Sequence, residues 1–458
     1  MTPLFPALVA LLTIFAAGFG IAMFLLRSAP RITISQVAAL SWLFGTIAIS
    51  LGMWLLGMLL RNTALHAALT VGCLGSAIAG IVLFVRGGPD RCRLPLPRTW
   101  LETALIALLG VEIAIVFGLT FGATLGWDGL LVWELKARYA FLNGGALPVA
   151  YFSDATRAYS HPEYPLYLPM LQTWMYLWLG DCDQYWVKII FSFFYLVALC
   201  LLAEAGAWWS GRRWIGLMLA NLFFFVPLLT RGEGGIVNGY ADVPLSIFYF
   251  AAFYYMSIFA REDSGPARTI FLVLSGALPW IKRDGTILWL VLALCAGWII
   301  WRRRGLAAAL LSLLPGLLII AGWHVYLRQM HAAAPHDFLP LAPSVLFSKI
   351  DRVAPVFFAL LKEASSFERW SLLWLLAVVA FLCLAWRCRN EEVALLFICT
   401  ALPVGIYCAA YLFSAWPDYS QHVSSSLRRL LLHVAPLALL AIALAIRIEK
   451  RSVANLTG

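Results

Sequence analysis

Charge is what this sequence has least of. Asp, Glu, Lys and Arg together make up 12% of its 458 residues, roughly half the share in an ordinary soluble domain. So few polar groups cannot clothe a surface in water, which excludes a soluble globular protein. Other absences narrow the field. No G-x-x-x-x-G-K-[ST] occurs, so no phosphate-cradling loop of a nucleotide-driven engine is expected. The nine cysteines form no C-x-x-C and, with only Cys182 expected in an outer loop, offer no disulfide framework. No Lys or Arg precedes Arg27. The basic leader of a secretory signal is thus missing, and the first apolar run is expected to stay as a span. Neither an internal repeat nor an appended soluble segment stands out.

What fills the space is hydrophobic: 62% of the residues, including 20 Trp and 16 Tyr. Apolar runs of about 20 residues, enough to cross a bilayer as a helix, recur along the chain. Many aromatics fall near run ends, where membrane–water interfaces collect them. Spans are expected near 4–26, 36–60, 64–86, 101–125, 186–210, 214–230, 242–260, 268–281, 286–301, 306–327, 370–387, 393–414 and 429–447, about thirteen in all. The chain divides into an N-terminal three-helix segment (1–98), a core (99–305) and C-terminal helices (306–458). The fold class is all-α, a polytopic transmembrane bundle.

The net charge of +10 does not point to nucleic acid, because the basic residues are short clusters between spans. They sort onto alternate loops. Arg27 and Arg31; Arg91, Arg93 and Arg98; Arg212 and Arg213; Arg261 and Arg268; Arg302, Arg303 and Arg304; Arg387 and Arg389; and Arg447, Lys450 and Arg451 share one face. Short loops rich in Lys and Arg stay cytoplasmic, which puts the N-terminus outside and the C-terminus inside. Tyr164–Leu179 is apolar but holds Pro165 and Pro169 and has only about 16 residues, short for a crossing. It is expected to be an amphipathic helix on the outer surface, the alternative being a short span. The two long outer loops are then 126–185 and 328–369.

The outer loops carry the chemistry-bearing residues. Trp127-Asp128-Gly129 ends the fourth run, followed by Lys136 and Arg138. Asp128 reads either as a helix cap or as a carboxylate at the membrane border. His161-Pro162-Glu163-Tyr164-Pro165 reads as a turn or as a substrate loop. Asp242, in Gly239-Tyr240-Ala241-Asp242-Val243-Pro244, is a cap or a group inside a cavity. Lys282-Arg283-Asp284-Gly285 is a charged turn between two spans, and Arg428-Arg429 opens the last span. Cations on an outer face run against the topology rule. They snorkel to the interface or bind phosphate.

In this order the motifs resemble the GT-C type glycosyltransferases that use polyprenyl-phosphate sugars, distantly like protein O-mannosyltransferases and aminoarabinose transferases. The likeness runs from about Trp100 to the end, the first three spans having no counterpart in the minimal core of that fold. Related bacterial sequences show W-D-A, H-P-D-Y-P, G-Y-A-D-x-P and K-N-E-G; here Glu163 replaces Asp, and Arg283-Asp284 replaces Asn-Glu. The resemblance implies a GT-C fold with helices of the first outer loop lying along the membrane. It implies transfer of a sugar from a polyprenyl-phosphate donor to a glycan, lipid or protein acceptor, at the outer face of a bacterial plasma membrane. Asp128 is then the base of a single inverting displacement. Lys282 and Arg428 are the donor-phosphate ligands, with Lys136, Arg138, Arg283 and Arg429 next in line. His161, Glu163, Tyr164, Tyr240, Asp242 and Asp284 shape the pocket. No cofactor is expected. A divalent metal between Asp128, Glu163 and Asp242 is the other branch, less needed where cations are plentiful.

Three other classes compete. A transporter or flippase would carry ionisable groups in mid-span, as Glu102, Glu112, Lys188 and Glu204 do in part. A ligase or polymerase acting on pyrophosphate-linked oligosaccharides would use Arg and His, and His331, His336 and His422 are available. A purely structural subunit would not need charged motifs on most outer loops.

The orientation has a direct test. Arg303→Cys is expected to resist an impermeant thiol reagent added to intact cells and to label after permeabilisation. Labelling from outside would reverse the topology.

Overall fold

The computed structural model of the chain describes residues 3–29, 32–88, 92–94, 96–332, 337–387 and 390–454, and only the backbone of 447–454. Arg31, Arg91, His336 and Arg389 lie outside the described residues, as do the side chains of Arg447, Lys450 and Arg451. Seventeen helices of eight or more residues organise the described residues. They are α1 (Leu4–Leu25), α2 (Ile34–Leu56), α3 (Asn62–Gly87), α4 (Trp100–Gly122), α5 (Leu135–Leu142) and α6 (Tyr167–Leu179). Next come α7 (Ile189–Ser210), α8 (Arg213–Phe224), α9 (Asp242–Glu262), α10 (Gly265–Ile281), α11 (Gly285–Arg304) and α12 (Leu314–Gln329). The last are α13 (Val353–Ala364), α14 (Leu373–Arg387), α15 (Glu391–Ala410), α16 (Tyr419–Leu432) and α17 (Ala435–Ala454), with short helical turns between. Strand among the described residues is limited to a two-residue parallel pairing, Ile32 with Cys92 and Thr33 with Arg93. The chain is an all-α bundle.

Among the described residues nine helices are long and apolar enough to cross a membrane, or ten if α16 and α17, bent by 49°, count as one span. The protein is thus a multi-pass membrane protein. The expected number of about thirteen counts α8, α10 and α14 as well. These have 12, 17 and 15 residues, fewer than the roughly 20 of an upright span.

The helix ends sort into two groups. At one end Thr33 donates to Glu204 (2.6 Å), Arg304 meets Asp263 (3.1 Å), Arg261 meets Glu392 (3.5 Å) and Arg213 meets Glu102 (3.7 Å). At the other, the backbone N–H of Asn62 donates to Gly144 O (2.8 Å) and that of Gly126 to Asn238 O (2.9 Å). There Ser371 donates to Phe225 O (2.8 Å). Of the basic clusters grouped by sequence, Arg213, Arg261, Arg303 and Arg304 lie at the first end, and the candidate site residues lie at the second.

The Tyr164–Leu179 run differs from its expectation. It forms α6, but ten of that helix's 13 residues are buried, beneath α1, α2 and α5. Tyr167 donates to Thr46 (2.8 Å) and Trp174 to Thr13 (3.1 Å), both partners lying midway along α2 and α1. The physical reason is that α6 has no charged residue and only Gln172 and Thr173 as strongly polar ones. A helix without a polar stripe gains nothing from the interface and is stable when covered by protein.

Helices α1 and α2 cross at bare backbone. A Cβ added to Gly18 would lie 1.8 Å from Ser41 O, and one added to Gly45 would lie 1.9 Å from Ile14 O. In lipid, where apolar surface gives little drive, such close approach is a main source of helix association. Gly72 on α3 has nothing within 4 Å of its would-be Cβ. Gly45→Leu is therefore expected to destabilise the protein by more than the ~1–3 kcal/mol usual for overpacking. In detergent its thermal midpoint should fall, while Gly72→Leu stays at the parental value; equal midpoints would contradict this packing.

Candidate active site

The second end of the bundle collects charge. Asp242 opens α9, Lys282 closes α10, Asp284 precedes α11, and His433 sits at the bend between α16 and α17. Asp242 is only 1% exposed. Its Oδ1 accepts from Lys282 Nζ (2.7 Å) and lies 3.0 Å from His433 Nε2. The other imidazole nitrogen lies 3.2 Å from the Tyr407 hydroxyl. Lys282 also meets Asp284 at 2.9 Å. Burial would pull the Lys282 ammonium down, but Asp242 and Asp284 outweigh it and hold it above the ordinary lysine value. Asp284 is held below the usual carboxylate value; burial opposes this, and Lys282 is the main cause. Lys282 is thus a neutralised cation between two carboxylates.

Asp128 stands at the start of a six-residue π-turn, Gly129–Glu134, and makes no side-chain cap bond there. Its carboxylate instead pairs with Arg429 of α16, and the Arg429 guanidinium lies 5.5 Å over the Tyr240 ring. The Asp128 N–H donates to the Tyr240 hydroxyl (3.1 Å). Gly129 is required because a Cβ there would lie 2.2 Å from Asn238 O. W-D-G and N-G-Y-A-D are therefore two halves of one packed corner.

The H-P-E-Y segment closes another side. His161 Nδ1 lies 3.1 Å from Glu163 and 3.9 Å from Asp337, and the His161 ring stacks on Tyr164 at 4.5 Å. Lys136 is fully buried and donates to His161 O (2.6 Å). Its ammonium lies 5.6 Å from both the Trp133 and Tyr164 rings. Burial lowers Lys136 to about 7, with Glu163 and Asp128 opposing. Glu163 is held below its ordinary value: burial acts the other way, but the His161 hydrogen bond and Lys136 prevail. Trp323 of α12 fixes the loop by donating to Glu163 O (3.0 Å).

Asp128, Lys136, His161, Glu163, Tyr164, Tyr240, Asp242, Lys282, Asp284 and Arg429 thus share one region. Three sequence candidates do not join it. Arg138 pairs with Glu134, itself bonded by Tyr176 (2.8 Å). Arg283 is exposed, 5.5 Å over the Phe338 ring. Arg428 pairs with Glu233 and lines a groove of about 350 Å³ with Lys362, Arg369 and Leu427. Sequence reasoning did not single out His433 or Asp337. A histidine inside the apolar run Leu430-Leu431-Leu432-His433-Val434 was the available signal for the first; Asp337 had none. Among the described residues Asp128, Glu163 and Asp242 do not form a group that could hold a metal, whereas His161, Glu163 and Asp337 do.

No family model matches the chain, and neither a curated protein nor a solved structure matches it.

Lys136 makes a measurable prediction. Its folded value near 7 lies below its ordinary 10.5, so between those limits the unfolded chain binds more protons. Stability should then rise with pH from about 7 to 10.5. The thermal midpoint of the parent should climb across this window relative to Lys136→Met. A constant difference would mean that the folded lysine keeps its proton.

Proposed function

We propose that the chain is a GT-C type membrane glycosyltransferase that moves a sugar from a polyprenyl-phosphate donor to an acceptor hydroxyl. The proposal includes about thirteen crossings, with the site on the outer face of a bacterial plasma membrane. The observation that carries it is the Asp128–Arg429 pair beside the Asp242–Lys282 network at one end of the bundle. A partly exposed carboxylate beside a guanidinium at a bundle end supports this reading, because a lipid anchored in the bilayer carries its headgroup at the level of the helix ends.

The chemistry is one displacement. Asp128 takes the proton of the acceptor hydroxyl as its oxygen attacks the anomeric carbon. The bond from that carbon to the phosphate oxygen breaks, its electron pair leaves with the phosphate, and the configuration inverts. Phosphate is a good enough leaving group that one carboxylate suffices, unlike the pair in a glycosidase. Cations stabilise the charge that grows on it.

The assignment of those cations shifts from the sequence expectation. Lys282 is already neutralised by two carboxylates, and Arg428 turns toward Glu233. Arg428 and Arg429 each keep an unused donor, since neither Nε has a hydrogen-bond partner among the described residues, but of the two Arg429 is the one that stands beside Asp128. Arg429 is therefore the first phosphate ligand, and the Asp242–Lys282–His433 network positions α9 and α16 around it.

A second reading, transport of a lipid-linked sugar, draws on Glu112. It lies buried midway along α4 with neither carboxylate oxygen bonded.

The test is transfer from a synthetic polyprenyl-phosphate sugar by purified protein in nanodiscs. Asp128→Asn is expected to lose about 10²–10⁴-fold in turnover, the usual cost of a missing base, while still binding donor. Arg429→Lys should be impaired in turnover and in donor affinity, because a point charge cannot replace a fork. Arg428→Met should resemble the parent. Normal turnover in Asp128→Asn would leave Asp128 a mere partner of Arg429 and favour transport.

A further inference from the structure

His161, Glu163 and Asp337 are brought together from two loops far apart in sequence, and no step of the proposed transfer uses Asp337. One imidazole nitrogen and two carboxylate oxygens, one from each residue, lie within 4.8 Å of one another. His161 Nδ1 is 3.1 Å from Glu163 Oε1 and 3.9 Å from Asp337 Oδ2. Two ligands bound at about 2.0–2.2 Å to a common ion sit roughly 3–4 Å apart at tetrahedral to octahedral angles. The two separations from His161 already have that spacing, and the two carboxylate oxygens lie within 4.8 Å of each other. All three side chains are partly exposed, which leaves a path for an ion and open positions for water.

We propose that His161, Glu163 and Asp337 form a divalent-cation site that clasps the second long outer loop to the first. A mixed nitrogen and oxygen set suits Mn²⁺ or Zn²⁺ better than Ca²⁺ or Mg²⁺, which prefer oxygen alone. His161 serves as ligand through the Nδ1 lone pair, with its proton on Nε2, and the hydrogen bond to Glu163 is exchanged for the shared ion. The backbone carbonyl of His161 is held by Lys136 (2.6 Å) and that of Glu163 by Trp323 (3.0 Å), so two ligands are presented by an anchored loop.

The clasp reaches further through Asp337. The Ala415 N–H donates to Asp337 O (2.9 Å) and the Leu339 N–H to Phe413 O (2.7 Å). Phe338 forms a bridge with Ser414. One ion thereby ties the H-P-E loop to residues 337–339 and, through them, to the segment that leads into α16. This inference rests on the coordination geometry and stands apart from the transferase reading.

The test uses the full chain in nanodiscs, stripped with EDTA and dialysed. Mn²⁺ is titrated by electron paramagnetic resonance, and Zn²⁺ retained after desalting is counted by mass spectrometry. The parent should bind one equivalent saturably, with ¹⁴N coupling on the Mn²⁺ signal from the imidazole. Asp337→Asn and His161→Gln should each weaken binding by at least about tenfold, as losses at a metal site do. Glu233→Gln, a carboxylate elsewhere, should bind like the parent. Bound metal should also slow protease cleavage within 337–352 in the parent and not in Asp337→Asn. If either ligand variant fails to fold, the ¹⁴N coupling in the parent decides alone. No saturable binding, no nitrogen coupling, or undiminished binding by folded Asp337→Asn would overturn the site.

Discussion

A carboxylate taken out of water must be met by charge or hydrogen bonds, and Asp242 is taken out almost completely. It opens the most enclosed helix of the bundle, α9, of which 17 of 21 residues are buried. Lys282 and His433 meet the same oxygen from two other parts of the chain. Removing one partner of such a buried pair typically costs ~3–5 kcal/mol, because the other is left alone in a medium that cannot solvate it. The positions of α10, α11 and the bend between α16 and α17 are thus coupled to one side chain. That bend in turn sets where Arg429 points, and Arg429 is what Asp128 touches. The candidate site is organised outward from this buried charge.

Helix α2 supports it through aromatic packing. Trp280, two residues before Lys282, donates to Ser50 of α2 (3.0 Å) and packs on Trp54 at 4.8 Å. Trp323 packs on Trp280 at 5.7 Å and donates to Glu163 O. Helix α2 is therefore joined by contiguous rings to both the K-R-D-G turn and the H-P-E loop. Large rigid side chains of this kind hold geometry at small entropic cost. Through α2 the N-terminal segment is built into the support of the charged end.

Much of the bundle was legible in the sequence because each apolar run is closed by a physical stop. Arg302–Arg304 end α11, Ser264 caps α10, and Gly211 follows α7. The motifs were legible for the complementary reason: Asp242 and Lys282 interrupt apolar runs, where charge needs a partner. What stayed hidden depends on neighbours. The burial of α6 is decided by α1 and α2 lying over it, and its own sequence does not name its cover. Arg428 and Arg429 look equivalent in a string, but adjacent residues on a helix point about 100° apart. One therefore meets Asp128 and the other meets Glu233. His433 carries a polar ring inside an apolar stretch, and only the bend at its position brings it to Asp242.

At the charged end each of Lys136, Lys282 and Arg429 already faces a carboxylate before the phosphate of the proposed transfer would arrive. Lys282 faces Asp242 and Asp284, Arg429 faces Asp128, and Lys136 lies among Glu163, Asp128 and two rings. An incoming phosphate cannot be accommodated by adding it to a surplus of cations; it has to share one. Lysine shares poorly, because its ammonium is a single point already surrounded. Arginine presents five N–H groups in a plane and can keep one carboxylate on one edge while offering another. In Arg429, as in Arg428, Nε makes no hydrogen bond among the described residues, and Arg429 is the one that holds Asp128. In the proposed transfer, a phosphate gaining negative charge as it departs would draw the guanidinium more strongly. At the same time Asp128, receiving the acceptor's proton, loses the charge that held the guanidinium. The two changes have the same sign, so in the proposed transfer the Asp128–Arg429 pair would favour the displacement by exchanging one anion for another.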